Sequence, residues 1–383
     1  MRSLAIALLA LLVSANIWPT RAARAEGPEL TEPLAELQAA LHCPASFGWG
    51  VRGPVLLVPG TGLTGPENWD WSYVPALEAE GFDVCTVDTK EFGTADIQET
   101  AERVVFAIRQ MHAVTGERVA VVGYSQGGLN VRWALKFWPD LREKVSDVIG
   151  LAPANHGSDA AAAFCAAGAC PAAVWQMVPG SRLIAAANAG GETVPGVDWT
   201  VIYSQTDDVV IPPAERSSLQ AVPGARVRNI AVQEVCPDSG LLHIQFPADG
   251  AVYALVRDAL LNDGPADPSR LDPTVCGTFV PGVTAEVAAA KAEELGGLAF
   301  QRITGGAMLA AEPPLRPYAA AVLPPAAQEP TQTPTPAPPA TGTGRAAESQ
   351  GPALAAVGAA LVGLAAGAGL AAGARARRRP GAP

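Results

Sequence analysis

A serine flanked by glycines stands in Gly123-Tyr124-Ser125-Gln126-Gly127, after the β-branched run Val119–Val122 and before the helical pattern Leu129–Leu135. In a G-x-S-x-G pattern at a strand-to-helix junction, the glycines permit a tight, strained turn and close helix packing, which leaves the hydroxyl exposed above the sheet. A serine hydroxyl is a weak nucleophile until a base takes its proton, and that base needs a carboxylate to orient it and balance its charge. The expected chemistry is nucleophilic acyl transfer, if the chain supplies its partners in the order Ser, Asp or Glu, His.

The chain has four histidines. His42 and His112 precede the serine, and His156 follows it by a single strand, which leaves little room for a strand-borne acid between them. His243 lies in Gly240-Leu241-Leu242-His243-Ile244, after the strand pattern Val227–Val232 and before the helical pattern Val252–Leu260. That loop is where the base is expected. The strand pattern Trp199–Tyr203 runs into Ser204-Gln205-Thr206-Asp207-Asp208, so Asp207, nearer the strand end, is the expected acid. Asp208 is the reserve, and whichever aspartate is not used should face solvent as an ordinary loop residue.

A tetrahedral oxyanion needs backbone N–H donors, one from the residue after the nucleophile, here Gln126, and one from a loop after an early strand. Pro59-Gly60-Thr61-Gly62-Leu63-Thr64-Gly65 follows Val55–Val58 and fits that place. It lacks the Lys-Ser/Thr ending of a phosphate cradle and has no downstream ribose acid, which argues against a nucleotide site.

The elements that must carry these residues are legible as apolar runs at Val55–Val58, Phe82–Val87, Val119–Val122, Asp147–Leu151, Trp199–Tyr203 and Val227–Val232. Helical patterns lie between them. The clearest is Ile97–Val114, where Ile97, Ala101, Val104, Val105, Ile108 and Met111 recur at three- and four-residue steps and Gly116 closes the run. Alternating strands and helices imply an α/β fold, a mostly parallel sheet flanked by helices, with the site at the carboxyl ends of the strands.

The formal net charge of -11 and the absence of basic runs with interleaved aromatics argue against a phosphate-gripping nucleic-acid binder. No CxxC pair and no HExxH occurs, so no metal site is expected, and the chemistry needs no organic cofactor. Arg2, the apolar run Leu4–Val13 and Ala23-Arg24-Ala25 read as a signal peptide over 1–25. Six cysteines in an exported chain then imply disulfides. From about Glu312 the composition shifts to Pro, Thr and Ala. The expected organisation is a catalytic body over 26–282, a helical extension packing on it over 283–322, and a linker over 323–352. A transmembrane helix over 353–374 and a basic cytoplasmic tail over 375–383 complete it. The uncharged 353–374 stretch would span roughly 33 Å as a helix, and Arg375, Arg377, Arg378 and Arg379 follow it on the inner side. Pro338-Pro339-Ala340-Thr341-Gly342 is a weak match to a sortase signal, so release or cell-wall attachment is the other expected fate of the tail.

Beyond these local patterns, the chain resembles the Candida antarctica lipase B family of α/β-hydrolases. The resemblance is carried by Leu56–Pro66, Tyr124–Gly128, Val174-Trp175-Gln176, Tyr203–Asp207, Ala231–Cys236 and Arg316-Pro317-Tyr318-Ala319. It implies the same triad, Ser125, Asp207 and His243, with Thr61 giving its N–H and hydroxyl to the oxyanion beside the N–H of Gln126. It implies pairing of Cys43 with Cys85 and of Cys236 with Cys276. Tyr124, Leu63 and Val209, next to these motifs, are the expected substrate-binding residues, and Thr284–Ala311 resembles the segment covering the acyl channel.

The chain also departs from the family pattern. Tyr124 stands where the family has Trp, Ala154 and Leu242 replace carboxylates, the loop from Cys236 to His243 is one residue shorter, and the third family disulfide is missing. Cys165 and Cys170 instead fall within Ala160–Pro171, which resembles the mobile helix at the site mouth, and are expected to form a local bridge. The expected activity is an exported, surface-tethered carboxylic ester hydrolase, acting on acylglycerols first among lipid or ester substrates. An acyltransferase or cutinase-like polyesterase working on the cell envelope would use the same residues. A non-catalytic surface binding module is the reading from another class.

Overall fold

The computed structural model describes residues 26–324. The segments 1–25 and 353–383, and the linker from 325 onward, lie outside the described residues. Among the described residues no helix is long and apolar enough to cross a membrane.

Seven strands form one sheet: β1 (Leu41–His42), β2 (Pro54–Val58), β3 (Asp83–Val87), β4 (Val119–Tyr124), β5 (Val145–Leu151), β6 (Asp198–Tyr203) and β7 (Arg226–Ala231). Their order is β1-β3-β2-β4-β5-β6-β7; β1 is antiparallel to β3 and every other pair is parallel. Six of the strands match the apolar runs to within two residues. The two-residue β1 has no such run, and it is held at the sheet edge beside the Cys43–Cys85 disulfide.

β2 is buried along its whole length, and its alternate side chains supply two cores. Leu56 and Val58 face a cluster with α2 (Ile97–Thr115) and α3 (Gln126–Phe137). Val55 and Leu57 face one with Trp69 of α1 (Gly65–Trp69) and with α5 (Gly250–Leu261). A period of two in a strand buried on both faces builds this three-layer arrangement. At the start of α2, Asp96 accepts from the Gln98 N–H at 2.9 Å, and Gly116 ends the helix in the left-handed region, φ 70°.

Two further helices lie near the carboxyl ends of the strands: α4 (Asp159–Cys165) and α6 (Ala285–Gly305). Cys165 at the end of α4 is bonded to Cys170, whose N–H and C=O pair with Leu309 at 3.1 and 2.9 Å. This clip therefore also anchors the chain beyond α6. The α6 helix ends at Gly305, before the expected Ala311, because the chain turns there to make that bridge.

Candidate active site

Ser125 sits between β4 and α3 with φ 55° and ψ −123°, a strained conformation for a residue with a side chain. A Cβ at Gly127 would lie 2.6 Å from the Val58 carbonyl oxygen, so only glycine lets α3 approach β2 closely enough to form this turn.

Three side chains from three separate connections meet here. Ser125 Oγ lies 3.0 Å from His243 Nε2, and His243 Nδ1 lies 2.8 Å from Asp207 Oδ2. All three residues are buried. The carboxylate fixes the imidazole tautomer: Nδ1–H donates to Asp207, which leaves Nε2 as the acceptor for the serine proton. The other oxygen of Asp207 accepts from the Val209 and Val210 N–H groups, both at 2.8 Å, so the carboxylate itself cannot swing.

His243 is held at three further points. Asp208 Oδ1 accepts its backbone N–H at 3.0 Å, the Tyr124 hydroxyl donates to its carbonyl at 2.9 Å, and the Tyr124 ring stacks on the imidazole with centroids 5.0 Å apart. The expectation that the second aspartate faces solvent is thereby corrected, since Asp208 is half-buried and bonded to the His243 backbone N–H. Tyr124 is buried among Trp69 and its neighbours, with its hydroxyl used on the histidine. The loop between β7 and His243 is tied at its base by the Cys236–Cys276 disulfide. Sequence reasoning missed the roles of Asp208 and Tyr124 because their partners are backbone atoms that no motif encodes.

Thr61 follows β2, and its hydroxyl donates to Gln126 Oε1 at 2.5 Å. The Thr61 N–H enters no hydrogen bond among the described residues. Leu63, within this loop, is fully buried, and Val209, whose N–H bonds to Asp207, is half-buried. The remaining histidines are engaged elsewhere: His42 with Asp88, His156 with Glu192, and His112 with the Glu117 carbonyl.

The chain also matches known proteins. Residues 52–237 match the family model of lipase (class 2). Lipase B of Pseudozyma antarctica is 32% identical over 320 residues, covering 82% of this chain and 92% of that protein. The chain belongs to the lipase B family. The crystal structure of Aspergillus fumigatus lipase B superposes with a TM-score of 0.72 at 31% identity, covering 79% of this chain and 75% of that one. The fold is accordingly that of the α/β-hydrolases, and this lipase B relative is a lipase-like carboxylic ester hydrolase.

Proposed function

We propose that the protein hydrolyses carboxylic esters, acylglycerols first among them, through an acyl-enzyme on Ser125. Ser125 Oγ attacks the ester carbonyl while His243 Nε2 takes its proton, and Asp207 stabilises the imidazolium. The oxyanion is received by the N–H groups of Thr61 and Gln126 and by the Thr61 hydroxyl. His243 then returns the proton to the leaving alcohol, and water repeats the sequence to release the acid.

The observation that carries this reading is the unbroken hydrogen-bond chain from Ser125 through His243 to Asp207, at 3.0 and 2.8 Å. The Gln126 amide nitrogen is buried without a partner. A half-turn of that amide would place the nitrogen on Thr61 Oγ1 and leave the hydroxyl hydrogen for the oxyanion. The three disulfides support export, where such bonds persist.

The test is hydrolysis across a chain-length series, from a soluble acetyl ester to emulsified long-chain triacylglycerol, with Ser125→Ala alongside. Serine-dependent turnover that extends to the emulsion is expected. Turnover confined to short soluble esters would restrict the protein to an esterase or polyesterase, and no turnover of any ester would overturn the proposal.

A further inference from the structure

Three groups converge on the guanidinium of Arg302, in the last turn of α6. Nη1 donates to the Gly62 carbonyl at 2.9 Å, Nη1 and Nη2 donate to the Glu67 carboxylate at 2.6 and 2.9 Å, and the guanidinium carbon lies 3.9 Å from the centre of the Phe92 ring. All three belong to the frame around Thr61. Gly62 is the next residue. Glu67 closes a capping box with Thr64 at the start of α1, accepting the Thr64 N–H at 2.9 Å. The Phe92 carbonyl accepts the Gly62 N–H at 2.6 Å, and to reach it Glu91 and Phe92 both adopt left-handed backbone, φ 47° and 57°. Such strain in residues with side chains persists only where the surroundings enforce it.

Helix and loop are also in backbone contact. Gly62 has φ 87°, and a Cβ there would lie 2.5 Å from Ala299 Cα, one turn before Arg302. On the other side of Thr61, the Gly60 N–H donates to Asn68 Oδ1 at 3.2 Å. The Pro59–Gly60 and Thr61–Gly62 peptides are thus fixed, while the Thr61 N–H, on the peptide between them, enters no hydrogen bond among the described residues.

We infer that Arg302 is a positioning residue for the oxyanion hole: it clamps Gly62, Glu67 and Phe92 so that the Thr61 donors are already aimed when charge develops on the substrate carbonyl. The inference rests on the reading of Thr61 as an oxyanion donor. Oxyanion donors act through preorganisation, and a loop that must reorganise during the reaction forfeits much of that stabilisation. Hydrogen bonds from Arg302 hold the Glu67 carboxyl down at about 2, so the clamp remains ionised throughout the range in which a histidine can act as base. The helical extension is then part of the catalytic apparatus as well as a cover.

The test uses the full disulfide-bonded protein, with competent sites counted by phosphonate titration and p-nitrophenyl butyrate as a soluble substrate. Arg302→Met should lower kcat per titrated site by about tenfold with KM within about twofold, and should weaken a soluble alkyl trifluoromethyl ketone, which forms a tetrahedral adduct, by a similar factor. Glu67→Gln, which keeps the shape of the side chain, should move both quantities in the same direction, and Arg302→Lys should restore part of the loss. Unchanged kcat and ketone affinity in both variants, with only a lower Tm, would make Arg302 a structural residue and overturn the inference. Thr61→Val separates the two levels. If it weakens the ketone and Arg302→Met does not, the clamp fails while the oxyanion reading stands; if both leave the ketone unaffected, the clamp and the Thr61 hydroxyl are both removed from oxyanion stabilisation.

Discussion

His243 is restrained through its ring nitrogen, its ring face, its backbone N–H and its carbonyl, and these restraints differ in what their loss should cost. Asp207→Asn offers a donor where the imidazole needs an acceptor, and so favours the wrong tautomer. It should lower kcat by about 10⁴-fold on a soluble ester. Asp208→Ala removes only the backbone contact and should cost about tenfold; equal losses in the two variants would remove the distinction between the aspartates. Tyr124→Phe keeps the stacked ring but leaves the His243 carbonyl without its donor, so kcat should fall by about tenfold at unchanged KM, measured on the same ester. Ser125, His243 and Asp207 were legible because strand order and chain order together leave one histidine and a pair of adjacent aspartates. Asp208 and Tyr124 were not, since the backbone groups they hold come from a loop whose path no local pattern gives.

Among the elements, the inner strands β2, β3 and β4 were legible because burial on both faces makes them largely apolar runs, whereas the edge strand β7 alternates exposed and less exposed residues. The edge strand β1 and the five-residue helices, such as α1, are too short to display a period. Parallel packing has a cost on β5. Burial pushes the Asp147 carboxyl up to about 6, and the neighbouring Asp198 on β6 adds to the rise. Because the folded state favours the protonated form, its contribution to stability is present below about pH 4 and is lost as pH rises through 6. Asp147→Asn, which mimics the protonated group, should therefore stabilise the protein at pH 8 by about 1 kcal/mol, a figure reduced for partial solvent exposure, and change nothing at pH 4. Urea denaturation at the two pH values checks this, and an equal effect at both would contradict it.

Across the whole molecule, both ends of the described chain are fastened to α2. The fully buried Glu102 accepts the Glu32 N–H and the Thr31 hydroxyl, each at 2.9 Å, and also pairs with Arg316. A charge so buried is tolerated only when paired and hydrogen-bonded. The Arg316 N–H reaches Gln98 at 2.7 Å, and Glu312 accepts the Arg182 and Leu183 N–H groups, both at 2.8 Å. These contacts, like that of Arg302 with Gly62, join residues far apart in the chain, so the extension was legible as a helix and by resemblance, whereas its clamps were not. The α6 helix itself packs against both the Thr61 loop and the His243 turn. The central claim, that Ser125 is the group acylated during turnover, is tested most directly by treating the protein with an alkyl p-nitrophenyl phosphonate and mapping the adduct by mass spectrometry. The account predicts one equivalent of label on Ser125, full loss of esterase activity in proportion to labelling, and no labelling of Ser125→Ala. Label on another residue, or continued ester turnover by the fully labelled protein, would contradict it.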